Sequence, residues 1–368
     1  MSAESAEHAA TRDAIERDAQ FVGRYISAAL NGGSAAPIVS LVLNNYFALF
    51  IAESQQWLRL FRLGMPNPLS EDVRQIIKQS RNSLKLFEDS NRRIRGQLTY
   101  FKDGILSEHR SYFYDRFGDA VPPEATDLGI FRYSGSIICT THSASFGLGV
   151  PAKKLLEEEG LVRGLAKDYG RYLSLWGTRI TEAPSFLGCL DDALVGKDED
   201  VRSCEFYART FNEAGPEELN GFLSVLQSAM NFTSEILSLE SNVESFYTVF
   251  KIRFLTLYHV IRSIRPLIGN RALTISSLSQ SYILRIISNP MAKLIISDAD
   301  VTGLRQSLVH YRPEARFVAR LDTAAPLYGL LRAAFPGRTA MEAVGEVYQC
   351  AADTAALIND WAKRRASS

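Results

Sequence analysis

Cysteine is scarce in this 368-residue chain. The four cysteines, Cys139, Cys189, Cys204 and Cys350, lie far apart with no Cys-x-x-Cys or zinc-ribbon spacing. That argues against a disulfide framework and points to a reducing, cytoplasmic setting. Net charge is missing too, because 41 Lys plus Arg face 41 Asp plus Glu. No global field draws the protein to nucleic acid or to a membrane, so any such partner has to be met by a local patch. Lysine is sparse, with 10 against 31 arginines. Arginine suits bidentate contacts to phosphate and carboxylate, although codon usage in a GC-rich genome gives the same skew. The first twenty residues are acidic and polar without an apolar core and do not read as a signal peptide. The longest apolar run, Pro37 to Ala52, is interrupted by Ser40, Asn44 and Asn45 and meets Glu53. A spanning helix needs about 20 predominantly apolar residues, so a buried soluble helix is expected and no membrane partner.

Several catalytic signatures are also lacking. There is no GxxxxGK[ST] phosphate loop, no GxGxxG opening a helix, no HExxH and no GxSxG elbow. Five histidines without His-His or Cys-Cys clustering imply no dedicated metal site, and no cofactor is expected. Cys139 and His142 lie three apart in a stretch that reads as strand, which would put them on opposite faces. Ser143 and Ser145 beside His142 raise nucleophilic catalysis as a reading of the Ile130–Gly149 region, against the plainer reading of a serine-rich strand edge. Glu157, Glu158 and Glu159 after Lys153 and Lys154 read as a solvated helix face.

What is present is material for cores. The chain is 46% apolar and 10% aromatic, with 20 Phe and 15 Tyr. Its length suggests two or three domains at roughly 100–200 residues each. Helical periodicity runs over about 4–30, 37–63, the segment after Ser70 and about 98–117. Ser70 reads as an N-cap, followed by Glu71 and Asp72 in the first turn. Residues 118–129 read as loop, and Ile130 to Phe146 (IFRYSGSIICTTHSASF) as one or two short strands. Helix returns at about 151–175, and 177–200 is loop-like. Beyond Pro216, at the first helical position, helices are expected near 217–240, 243–264, 276–296, 299–312 and 340–364. The expected fold is mainly α. A helical N-terminal region covers 1–128, a mixed α/β middle segment 129–215, and a helical bundle 216–368.

One stretch in that bundle carries a chemical pattern: Leu304-Arg305-Gln306-Ser307-Leu308-Val309-His310-Tyr311. It follows a helix start at Ser297-Asp298 and precedes a stop at Pro313. The stretch resembles the Arg-x4-6-His motif of the HEPN superfamily, small α-helical domains found in many prokaryotic ribonucleases of toxin–antitoxin, CRISPR-associated and phage-defence systems. The resemblance covers about 150 C-terminal residues. Arg253 and His259 satisfy the same bare pattern, but they lie in the strongly apolar FKIRFLTLYHVI, where a core histidine is expected. The chain departs from the family at Gln306, where Asn, Asp or His is frequent.

The resemblance implies a metal-independent endoribonuclease with Arg305 and His310 as catalytic residues. The 2′-hydroxyl of RNA would attack, leaving a 2′,3′-cyclic phosphate and a 5′-hydroxyl. Five residues along one helix turn through about 500°, which sets the two side chains about 140° apart. The resemblance supplies a remedy, since such domains pair about a two-fold axis and bring two Arg–His sets into one cleft. Gln306, Tyr311, Arg312 and Arg316 are then expected to contact RNA. Arg312, Arg316 and Arg320 would share one helical face if the helix resumed after Pro313. The expected partners are RNA, a second copy of the chain and a regulatory protein, with residues 1–215 sensing a trigger or restraining the activity. The rival reading is a non-catalytic α-helical scaffold in which His310 is a core residue.

Overall fold

The computed structural model describes residues 3–31, 35–61, 69–86, 92–118, 120–122, 124–157, 160–178, 185–191, 199–212 and 214–363. Apolar positions at helical spacing produce two long N-terminal helices, α1 (Ala3–Asn31) and α2 (Ala36–Phe61). They bury Phe21, Val22 and Tyr25 against Val39, Leu43 and Phe47, with the Tyr25 and Phe47 rings 5.2 Å apart. α3 (Glu71–Leu86) starts as its sequence indicates: the Ser70 hydroxyl accepts from the Val73 N–H at 3.4 Å. α4 (Arg92–Tyr100) passes through one π turn (Phe101–Leu106) into α5 (Ser107–Tyr114).

The middle segment departs from its expected form. β1 (Leu128–Tyr133) and β2 (Ser136–Thr140) make an antiparallel hairpin, and its turn residues Ser134 and Gly135 both have positive φ, 49° and 81°. Such a turn matches the right-handed twist of the strands. The register changes between Phe131 and Arg132, a bulge. A short β3 (Glu199–Val201) pairs with the other side of β1, giving the order β2-β1-β3. The second half of the expected strand region is helix instead, α6 (Thr141–Leu148). A reciprocal cap overrides the β-branched composition. The Thr140 hydroxyl accepts from the Ser143 N–H at 2.9 Å, and the Ser143 hydroxyl accepts from the Thr140 N–H at 2.8 Å. Ser143 is thereby a capping residue, and Cys139 and His142 belong to different elements.

α7 (Ala152–Glu157) and α8 (Leu161–Leu175) replace one expected helix, and α9 (Ser203–Ala208) follows β3. Next come α10 (Glu217–Asn231), which loosens into a π turn at Phe232–Ile236, and α11 (Phe246–Ile264). The expected 276–296 helix breaks at Asn289-Pro290 into α12 (Ser277–Ser288) and α13 (Pro290–Ser297), because proline has no N–H to continue the ladder. α14 (Ala299–His310) is capped by the Asp298 carboxylate, which accepts from the Asp300 and Val301 N–H groups at 2.7 and 3.2 Å. α15 (Ala315–Val318), α16 (Leu330–Ala334) and α17 (Ala340–Lys363) complete the chain. The fold is mainly α with one small sheet. A single buried apolar cluster runs from Ala10 to Ala362, so the N-terminal, middle and C-terminal segments share one core.

Three histidines are sealed in that core: His109, His142 and His259. His259 occupies the apolar helix α11, the placement its sequence context predicts. Loss of water disfavours the imidazolium. Burial lowers His109 and His259 to about 4, and His142 lies well below the ordinary value, with the nearby His109 adding to the effect. The unfolded chain binds protons on these rings below about pH 6.5, whereas the folded chain keeps them neutral. Their contribution to stability is therefore complete above pH 6.5 and declines as the pH falls toward 4, His109 and His259 each accounting for up to about 3 kcal/mol there and His142 acting in the same direction. A melting series from pH 7.5 to 4.5 should show Tm dropping below pH 6.5, less steeply in His259→Gln. A flat Tm across that range would contradict the neutral-histidine core.

Candidate functional site

The polar chemistry of the interior gathers in two places. The first lies at the end of α14. Asp18 of α1 is buried, and three donors meet its carboxylate. The Thr248 hydroxyl is at 2.6 Å, the Lys251 ammonium at 2.7 Å and the Tyr311 hydroxyl at 2.5 Å. The ammonium also sits over the Tyr311 ring, 3.8 Å from its centroid. Burial lowers the Lys251 amine, and Asp18 opposes that shift. Tyr311 ends α14 in the left-handed conformation at φ 53°, and its carbonyl accepts from the Thr11 hydroxyl at 2.7 Å. α1 thus grips Tyr311 by both its ring and its backbone.

The residue before Tyr311 is thereby aimed outward. His310 Nδ1 lies 2.7 Å from Oε2 of Glu53, a buried carboxylate on α2. A carboxylate only accepts, so the contact makes Nδ1 the donor of the neutral ring and leaves the Nε2 lone pair outward. The His310 side chain is 38% exposed, against 5% for Glu53. It faces an open depression of about 620 Å³ lined by Gln56, Trp57, Gln306, Arg312 and Pro313. The indole Nε1 of Trp57 donates to the His310 carbonyl at 3.0 Å, locking the rim to the helix end. Arg305 is 4% exposed. Burial pushes its guanidinium down to about 10, and the Glu53 charge opposes that shift. His310 contacts Glu53 directly, whereas Arg305 acts on Glu53 through its charge, both from the one helix α14.

The remaining expected contacts divide. Gln306 lines the depression, and Arg312 is at its rim, its side chain 73% exposed and 3.6 Å from Glu7. Tyr311 is in the core, with its hydroxyl committed to Asp18, and so does not belong to an RNA-facing surface. Arg316 is tied to Asp300 at 2.8 Å, to Glu314 at 2.7 Å and to the Ala299 carbonyl, which closes the start of α14. The helix does not resume long enough for a common arginine face, because α15 is a single turn, Ala315–Val318. Glu53 and Trp57 are the residues that sequence reasoning missed. Glu53 had one signal, a lone carboxylate closing an apolar run, which has to find a partner if it is buried.

The second place lies between α5, α6 and α9. His109 Nε2 meets the Ser145 hydroxyl at 2.9 Å, and the His109 and His142 ring centroids are 4.4 Å apart. His142 Nε2 is 3.1 Å from the Asp127 carbonyl, and its Nδ1 is 3.0 Å from the Tyr207 hydroxyl. The carbonyl fixes Nε2 as the donor, and Nδ1 then accepts from tyrosine. The Asp127 carboxylate takes the Ser203 N–H at 2.7 Å, the Ser203 hydroxyl at 2.6 Å and the Tyr114 hydroxyl at 2.8 Å. A serine beside a histidine suggests a nucleophile and its base, but both are fully buried. The cluster joins the hairpin to α5 and α9, and its two histidines and Ser145 are closed off from solvent. Among the described residues no group of three or more His, Cys, Asp or Glu side chains is placed to hold a metal ion.

No protein-family model, curated protein or solved structure matches the chain.

Removing one partner from a buried ion pair strands the other, at a typical cost of about 3–5 kcal/mol. Lys251→Met should lose that much stability in urea unfolding, and Asp18→Asn combined with Lys251→Met should recover a large part of it. A loss below about 1 kcal/mol in the single variant would mean that Asp18 does not depend on this partner.

Proposed function

We propose that the depression at the end of α14 is the active site of a metal-independent endoribonuclease, with His310 as its acid–base group. The observation that carries this reading is the Glu53–His310 contact at 2.7 Å, made from a buried carboxylate to a half-exposed ring. Glu53 holds the imidazole by Nδ1 and stabilises the imidazolium that forms when Nε2 accepts a proton. RNA carries its own nucleophile, so the reaction needs a base for the 2′-hydroxyl, an acid for the departing 5′-oxygen and donors for the phosphorane oxygens. The products are a 2′,3′-cyclic phosphate and a 5′-hydroxyl. Arg312 at the rim provides the permanent charge for phosphate, and Gln306 and Gln56 provide neutral donors. Trp57 supplies an indole face on which an unstacked base can rest. Arg305 is too deeply buried to touch a phosphate directly and serves as a positioning residue, its charge set against Glu53. One depression holds one imidazole, so a second copy of the chain about a two-fold axis is the source of the complementary acid. A role in defence or as a restrained toxin remains part of this proposal.

A scaffold reading has its own support at this turn, since Arg305 and Tyr311 are both committed to the core. The two readings differ at His310. In a nuclease, His310→Ala and Glu53→Gln should each lower cleavage of total or transfer RNA in EDTA by about 10²–10⁴-fold, the range of a lost acid–base group. His310→Ala should also lower Tm, because buried Glu53 loses a donor, whereas His310→Asn, whose amide N–H can still donate to Glu53, should lose cleavage to the same extent with Tm close to wild type. Cleavage retained in His310→Ala would remove it from the chemistry. A large fall in Tm with no RNA cleavage by the wild type would favour the scaffold.

A further inference from the structure

A separate concave site, sharing no residue with the depression at His310, lies where the hairpin, α9 and α17 meet and has a volume of about 310 Å³. Its inner wall is made of carboxamides. Gln227 Nε2 donates to Asn359 Oδ1 at 2.8 Å, and Asn231 Nδ2 donates to the same oxygen at 3.0 Å. Asn359 Nδ2 in turn donates to Asn231 Oδ1 at 2.8 Å. This ring of amides fixes the Gln227 side chain so that its carbonyl Oε1 has no hydrogen bond among the described residues. Beside it is Thr210, 9% exposed, whose hydroxyl is buried and has no hydrogen-bond partner. An unmet buried hydroxyl typically costs about 1–3 kcal/mol, so its retention at the wall of a cavity points to a ligand that meets it.

The rim has a different character. Three cations border the site, Arg132, Arg209 and Lys363, against Glu199 and Glu205. Both carboxylates already face an arginine, Glu199 with Arg132 at 3.5 Å and Glu205 with Arg202 at 3.9 Å. Arg209 and Lys363 are left exposed with no ion pair among the described residues. Arg132 follows the β1 bulge, a device that re-aims a side chain at the edge of a ladder. The half-buried ring of Phe206 forms part of the wall, set edge-on to Tyr207 with centroids 5.5 Å apart. The chain as a whole is neutral, so this pair of uncompensated cations is a local feature.

We infer that this cavity binds a nucleoside phosphate, its base against Phe206 and the Gln227 and Thr210 polar groups and its phosphate toward Arg209 and Lys363. The Gln227 carbonyl and the Thr210 hydroxyl offer an acceptor and a donor on one wall, which is the pattern a base edge requires. An exposed arginine and lysine supply the charge that phosphate requires and a neutral hydrogen-bonding ligand does not. The cavity is near the lower end of the ~300–1,000 Å³ of small-molecule sites, which suits one nucleotide rather than a chain. The inference stands apart from the ribonuclease reading and uses none of its residues.

Calorimetric titration of the full chain with AMP, GMP, CMP and UMP, beside adenosine and inorganic phosphate, tests it. At least one nucleotide should bind about tenfold or more tightly than either adenosine or phosphate. Arg209→Ala, a surface change, should weaken that nucleotide about tenfold, and Thr210→Val should weaken it several-fold, with Tm unchanged in Arg209→Ala and binding unchanged in His310→Ala. Absence of binding by all four nucleotides would overturn the inference. So would phosphate binding as tightly as the nucleotide, or nucleotide binding lost in His310→Ala and kept in Arg209→Ala.

Discussion

A carboxylate carried into a protein interior has to be met by donors, and the way Asp18 is met organises much of this molecule. Its three partners come from two other elements, Thr248 and Lys251 from α11 and Tyr311 from the end of α14. The three elements come from opposite ends of the chain, so the ion pair is one of the contacts that joins the N-terminal helices to the C-terminal block. It also determines where α14 stops. A tyrosine in the left-handed region is disfavoured by about 1–2 kcal/mol relative to ordinary helix. The Asp18 hydrogen bond, the ammonium over the ring and the Thr11 contact all oppose that cost. With Tyr311 turned inward, the preceding residue is turned toward Glu53 and the depression. The position of His310 is thus a consequence of how a charge on α1 is satisfied.

The same economy of polar groups explains the second buried cluster. Two neutral histidines, an aspartate, two tyrosines and two serines hold the hairpin to the helices around it, and each ring nitrogen of His142 has a partner matched to its donor or acceptor role. Residues with the chemical types of an active site are used here for packing. The burial of both histidines and of Ser145 distinguishes them from His310, which is half-exposed. Reactive residue types do not by themselves mark a site.

Much of the helical architecture was legible because it follows from apolar period and breakers. α1, α2 and α17 fall close to their expected limits, and Pro216, Pro290 and Pro313 each sit at a helix boundary. Other features were out of reach. The reciprocal cap of Thr140 and Ser143 turned an apparent strand into α6, because a serine at the third position stood where a glutamate would have announced the box. The inward turn of Tyr311 had no local signal, since glycine is the residue expected at a left-handed helix end and the cause lies on α1. Of the candidate site, His310, Gln306 and Arg312 were legible from the motif. Glu53 was not, because 257 residues separate it from His310, and the pattern that drew attention to the histidine says nothing of its partner. Arg305 was legible as a residue and misread as to its surroundings, for periodicity alone did not place it on the inner face of α14.

The proposed chemistry depends on the orientation of one imidazole. If Glu53 holds His310 by Nδ1, the neutral ring carries its proton on Nδ1 and offers Nε2 to the depression. Nitrogen-15 NMR of histidine-labelled protein at alkaline pH reads that tautomer directly, with His310→Ala used to assign the signal. The predicted result is an Nδ1–H tautomer for His310 in the wild type, changing toward Nε2–H in Glu53→Gln, and a shift of the Nε2 signal when an RNA oligonucleotide is added. An Nε2–H tautomer in the wild type, indifferent to Glu53→Gln and to RNA, would contradict it.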